Sequence, residues 1–149
     1  MNPATSGHRK RRAMTAQEYL QQYGIAERYA RRCKREYEIE MEKIDAIGST
    51  LSGDGMPHGS GVSRKTEDKA IRLAEKAEAL KEAQQNAMLL RQEIFEFVHD
   101  IPGVEGDVLV ERYLNFKHWS DIAEQLSYSE RSIYIIHNRA LEIAQSRMR

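Results

Sequence analysis

Between Lys117 and Arg139 the chain gathers side chains of the types that read nucleic acid. The guanidinium of Arg131 offers the fork of donors that fits a guanine edge, the amide of Asn138 fits adenine, and the hydroxyls of Ser129 and Ser132 serve bases or phosphates. Drawn as a helix, the segment turns Glu130, Arg131, Ser132, Tyr134, Ile135, His137 and Asn138 outward, and Ile135 suits the methyl group of thymine. Lys117, His118, Arg139 and Arg147 are candidates for phosphate contacts. Near the amino terminus, Arg9, Lys10, Arg11 and Arg12 form a basic run that can either lie on phosphates or serve as a solubilising tail.

Other chemistries find less material. The histidines His8, His58, His99, His118 and His137 are scattered, and the single Cys33 completes no familiar zinc spacing, so neither a metal nor another cofactor is expected. His118 has Asp121 and Glu124 nearby but no nucleophile or phosphate-binding loop, which argues against an enzyme. Cys33 is flanked by Arg31, Arg32, Lys34 and Arg35, cations that would stabilise a thiolate. It has no second cysteine to pair with, and no apolar stretch follows the basic amino-terminal run as in a signal peptide; a cytoplasmic protein is expected. The longest apolar run is far short of the roughly 20 residues that span a bilayer, so no membrane association is expected.

The candidate residues need a scaffold, and the flanking pattern supplies one. Trp119, Ile122, Ala123 and Leu126 share one face of a two-turn helix. Ser127-Tyr128-Ser129 then allows only a tight turn, and Ser129 is suited to cap a helix from Glu130 to about Arg147, with Ile133, Ile136, Ala140 and Ile143 facing inward. Upstream, Val104 to Asn115 reads as a short helix with Val108, Leu109 and Tyr113 toward the core. A short helix, a turn of about three residues and a longer capped helix make a helix-turn-helix, here a three-helix unit over residues 102–149. The methyl side chain of Ala123 would let its two helices cross closely.

The rest of the chain reads as a long antiparallel helical hairpin over residues 14–101, preceded by a basic arm at 1–13, so the fold class is all-α. Thr15 with Glu18 has the capping-box spacing, and helix runs toward Gly24 and resumes at Ile25, ending near 48. Tyr37, Met41, Ile44, Ile47 and Leu51 form one apolar stripe. Five glycines and Pro57 predict a loop over 48–65, with Thr66 capping a returning helix to about 100. Its stripe is Leu73, Ala77, Leu80, Gln84, Ala87, Arg91, Ile94 and Val98, interrupted by Gln84 and Arg91. The hairpin either dimerises or packs only on itself. Ile101-Pro102-Gly103 breaks the helix and marks the domain boundary.

The formal net charge is zero, but residues 1–35 carry nine Arg or Lys against two Glu, whereas residues 102–149 carry six against seven acids. Phosphate attraction from the carboxy-terminal unit alone is therefore weak. The arm, dimerisation or a protein partner would have to supplement it.

The pattern from Trp119 through Ile122-Ala123 to Ser129-Glu-Arg-Ser-Ile-Tyr-Ile-Ile-His-Asn-Arg-Ala-Leu141 resembles region 4 of bacterial sigma factors, which reads the −35 promoter element. With Leu114-Asn-Phe-Lys-His-Trp119, the hairpin and the glycine-rich loop, the whole chain resembles phage and prophage regulators of Gram-positive bacteria, the late-gene activators of the ArpU and RinA type. The resemblance implies a sequence-specific regulator that binds double-stranded DNA and acts with RNA polymerase; the hairpin stripes and the weak phosphate attraction of the last unit add the expectation of a homo-oligomer, a dimer by preference. It also implies base contacts by Glu130, Arg131, Tyr134 and Ile135. Tyr134 and Ile135 replace residues that are usually strongly polar in sigma factors, so the −35 hexamer is not the expected target. Two rival readings remain at this stage: an adaptor or structural coiled-coil protein without DNA affinity, and a small-terminase-like DNA-packaging component.

Overall fold

The computed structural model describes residues 13–51 and 61–148, with side chains described over 13–46 and 64–148. The basic run Arg9 to Arg12 and the centre of the glycine-rich loop lie outside the described residues. Five helices follow in order, and no strand occurs among the described residues: α1 (Ala16–Leu51), α2 (Gly61–His99), α3 (Gly103–Leu109), α4 (Trp119–Leu126) and α5 (Glu130–Arg147). α3 continues into a π-helical turn, Val110–Leu114. None of these helices is long and apolar enough to cross a membrane.

α1 starts where its capping box places it. The Thr15 amide donates to Glu18 Oε2 at 2.9 Å, and the Glu18 amide donates to Thr15 Oγ1 at 3.2 Å. The helix does not pause at Gly24. Its backbone passes straight through, because Phe116 packs where a Gly24 side chain would stand: a Cβ there would meet Phe116 Cε1 at 3.3 Å. The glycine is a seat for a ring, and the packing offsets its poor helix propensity of about 1 kcal/mol. The loop is also shorter than its composition predicts. Residues 48–51 and 61–65 are helical, and Thr66 lies inside α2 and does not cap it.

α1 and α2 pack along their length into the hairpin. The seam on α2 runs through Leu73, Lys76, Leu80, Ala83, Ala87, Leu90, Ile94 and Phe97, a regular alternation of three and four. Leu73, Leu80, Ala87 and Ile94 belong to both this seam and the expected stripe. Three of the intervening members differ by one position, with Lys76, Ala83 and Leu90 in the seam and Ala77, Gln84 and Arg91 exposed, whereas Val98 is buried as the stripe predicts. The apparent polar interruptions were an error of phase between two patterns that share every second member. On α1 the seam begins earlier than the stripe from Tyr37, with Leu20, Tyr23, Ala30 and Cys33 buried. Tyr37 and Ile44 are only half-buried, Met41 is exposed, and the side chains of Ile47 and Leu51 lie outside those described. Cys33 touches Ala30 and Ala83 in a satellite cluster, where small side chains let the helices approach closely. Across the pair, Lys76 Nζ and Glu36 Oε2 stand 3.1 Å apart.

The main core does not stop at the Ile101-Pro102-Gly103 break. Leu20, Tyr23, Ile94 and Val98 of the hairpin share it with Ile101, Leu109, Tyr113, Leu114, Ala140 and Ala144. A second cluster of Val108, Ile122, Ala123, Ile133 and Ile136 holds α3, α4 and α5 together. Gln145 Oε1 accepts from the Ala16 amide at 2.8 Å, and Arg147 donates to the Asp100 carbonyl at 2.7 Å, so α5 satisfies the first turn of α1 and the last turn of α2.

Two backbone positions give opposite expectations. A Cβ on Gly106 would come within 2.1 Å of the Ile101 carbonyl oxygen, so G106A should lower stability by roughly 1–3 kcal/mol. Ser127 ends α4 in the left-handed region, φ 60°, where glycine is unstrained; S127G should raise stability by roughly 0.5–1 kcal/mol. Urea denaturation of both variants checks the pair, and shifts of the same sign would contradict it.

Candidate nucleic-acid interface

The turn between α4 and α5 closes by backbone geometry alone. The Tyr128 amide donates to the Ala123 carbonyl at 2.9 Å and the Ser127 amide to the Glu124 carbonyl at 3.3 Å, the paired bonds of a Schellman cap. Ser129 then caps α5: its Oγ accepts from the Ser132 amide at 3.1 Å and donates to Ser132 Oγ at 2.9 Å. Both hydroxyls of the predicted reading face are therefore committed to the cap, and Ser132 is half-buried.

The remaining outward set is drawn together on one side of α5. Glu130, Arg131, Tyr134, Ile135 and Asn138 are all exposed, Tyr134 at 45% and Ile135 at 53%. Two large apolar side chains so exposed, between Arg131 and Asn138 and beginning at the helix amino terminus, make a face with donors at its ends and van der Waals surface at its centre. An α-helix with such a face fits the major groove, where arginine and asparagine find base edges and an aliphatic group finds a thymine methyl.

His137 is not on that face. It is 6% exposed, and its Nε2 shares a 2.7 Å hydrogen bond with the Tyr113 hydroxyl. The ring also meets Trp119 edge-on at 4.6 Å and lies over Tyr113 at 5.7 Å. The physical reason is periodicity: 137 falls in the stripe of 133, 136, 140 and 144, the core side of the helix, and the polar type of the residue masked its position. Burial, reinforced by the nearby Arg112 guanidinium, lowers the His137 imidazole from 6.5 to about 4, so the ring is neutral near pH 7. Burial pushes the Tyr113 hydroxyl up, so it keeps its proton. The hydroxyl donates to Nε2 in one histidine tautomer and accepts from it in the other.

Trp119 is the hub between this buried pair and the surface. Arg112 lies over its ring at 4.3 Å, and Tyr134 packs beside it at 5.0 Å. Arg112 also donates to the Lys117 carbonyl at 2.9 Å, which ties the loop before α4 to the π-helical turn. Neither the sequence pattern nor the residue types had singled out Arg112. The departure from α-helical pitch that aims it arises only in the folded chain.

The predicted phosphate contacts divide. His118 is exposed at the start of α4, whereas Lys117 pairs with Glu111 and bonds to Gln125. Arg139 is 3.3 Å from Glu105, and Arg147 is turned to the Asp100 carbonyl. Comparison with protein-family models, with curated proteins and with solved structures gave no match for this chain.

The buried histidine makes stability depend on pH in a defined window. Above about 6.5 His137 is neutral in both the folded and the unfolded chain, and its contribution is fully present. As pH falls through that value, the unfolded chain takes up a proton that the folded chain refuses, so stability declines until about pH 4. The decline should approach 1.4 kcal/mol per pH unit, a slope of about one proton. Urea unfolding at steps from pH 7.5 to 5 should show it in the native chain and not in H137Q; equal slopes in the two would refute the assignment.

Proposed function

We propose that this protein is a sequence-specific DNA-binding transcriptional regulator, with α5 as the recognition helix of a helix-turn-helix. The observation that carries the reading is the one-sided, solvent-facing set Glu130, Arg131, Tyr134, Ile135 and Asn138, presented by a helix whose start is pinned by a Schellman turn and a serine cap. Such pinning fixes the direction of the side chains before any ligand arrives, which lowers the ordering cost of binding. On the resemblance to sigma region 4 and to phage late-gene activators, the proposal takes promoter DNA as the target and RNA polymerase as the partner. The mode of action proposed is late-gene activation in a phage or prophage, without catalysis.

The charge balance bears on how such a regulator binds. With Lys117 and Arg139 paired to acids, and with Asp121, Glu124, Glu130 and Glu142 on the same helices as Arg131, Arg139 and Arg147, α4 and α5 carry no net positive charge to hold phosphates. The proposal therefore includes a homodimer, which doubles the contacts, and the basic run Arg9 to Arg12 as an additional phosphate ligand.

Selection of bound duplexes from a random pool near physiological salt, followed by sequencing, tests the reading. One motif should emerge, palindromic if the protein binds as a dimer. R131A and N138A should each weaken binding to that motif by roughly 1–3 kcal/mol and relax preference at distinct positions. Recovery of no motif, or unchanged preference in both variants, would transfer the apolar centre of the α5 face, Tyr134 and Ile135, to the docking of a protein partner.

A further inference from the structure

Where the hairpin meets the π-helical turn, the surface opens into a cleft of about 440 Å³. Arg28 of α1, Arg112 of the π-helical turn and His118 at the start of α4 line it, with Tyr113 and Phe116 as aromatic walls, and no carboxylate is among its lining residues. Two features build it. Gly24 leaves the space in which Phe116 Cε1 and Arg28 Nη1 stand side by side, 3.3 and 3.5 Å from where a Cβ would be. Phe116 itself holds a left-handed backbone, φ 56°, and stacks on Tyr23 at 5.2 Å with the rings 19° apart. A bulky residue in that conformation is costly, and neighbouring packing must hold it there.

Some basic side chains of the interface and of α1 are already matched. Lys117 pairs with Glu111, Arg139 with Glu105 and Arg31 with Glu27. Among the described residues, Arg28 and Arg112 form no such pair with a carboxylate. Arg112 is held by the Trp119 ring and a backbone carbonyl, which fix its direction without neutralising it. Two guanidinium groups and an imidazole facing one opening form a seat for an anion with several acceptor oxygens.

The seat is continuous with the recognition face. Arg112 lies on one side of Trp119 and Tyr134, on α5, packs against the same ring. When a helix occupies the major groove, the elements beside it face the phosphates that form the groove wall. We infer that the Arg28–Arg112–His118 cleft binds a backbone phosphate of the DNA duplex engaged by α5, so that the hairpin contributes directly to DNA binding. The inference rests on the proposed recognition role of α5. It assigns to α1 a function that packing alone does not require, and it supplies charge that α4 and α5 lack.

The test compares R28Q with R31Q. Both remove one positive charge from the same stretch of α1, but Arg31 lines a separate groove between α1 and α2. Binding of the chains, with residues 1–149 all present, to a fluorescein-labelled random-sequence duplex is followed by anisotropy, with KCl varied between about 50 and 200 mM. R28Q should flatten the plot of log K against log salt by about 0.9, the effect of one lost phosphate contact, and R31Q should leave the slope as it is. Equal slopes for R28Q and the unaltered protein, or equal flattening by both variants, would overturn the phosphate seat while leaving α5 as the recognition helix. Absence of duplex binding by the unaltered protein would overturn both readings.

Discussion

With no side chain beyond a methyl group, Ala140 and Ala144 let the second half of α5 lie directly on the base of the hairpin, and both are fully buried there. The first half of the same helix buries Ile133 and Ile136 against α3 and α4. One helix thus belongs to two cores, and its free amino-terminal face is oriented by both. The bonds from Gln145 to the start of α1 and from Arg147 to the end of α2 reinforce this placement, because they satisfy helix ends that would otherwise rely on water. The Ile101-Pro102-Gly103 segment interrupts secondary structure without interrupting the core.

The polar contacts behind α5 act in the same direction. Tyr113, His137 and Trp119 form a packed, hydrogen-bonded group between the π-helical turn and α5. A buried polar pair contributes little net stability when satisfied and costs much when broken, so its main physical effect is to favour one arrangement of the three elements. Arg112 extends the group outward over the indole. The geometry of the surface at Tyr134 and Arg112 is therefore set from beneath.

Positive charge near the α5 face is partly neutralised. Ion pairs at Lys117 and Arg139 are partly exposed and contribute little to stability. They nonetheless reduce the attraction of α4 and α5 for a polyanion. In the proposed function this shifts the electrostatic share of DNA binding to α1 and the basic arm, and leaves α5 to discriminate among sequences.

Local rules carried a large part of the architecture. The capping box at Thr15, the serine cap at 129, the break at Ile101-Pro102-Gly103 and the apolar periodicities of α4 and α5 were legible because each depends on residues within a turn or two of one another. The all-helical class and the exposed set on α5, apart from Ser132 and His137, followed from the same patterns. Tertiary structure alone decided the rest. Gly24 reads as a break until Phe116, ninety-two positions along the chain, is found occupying its missing side chain. His137 reads as a polar outward residue until Tyr113 satisfies it in the core. Ala83 and Leu90, and not Gln84 and Arg91, complete the seam only once α1 fixes the phase. In each case the determining partner lies beyond the reach of local pattern, and its contact exists only after separate elements have packed together.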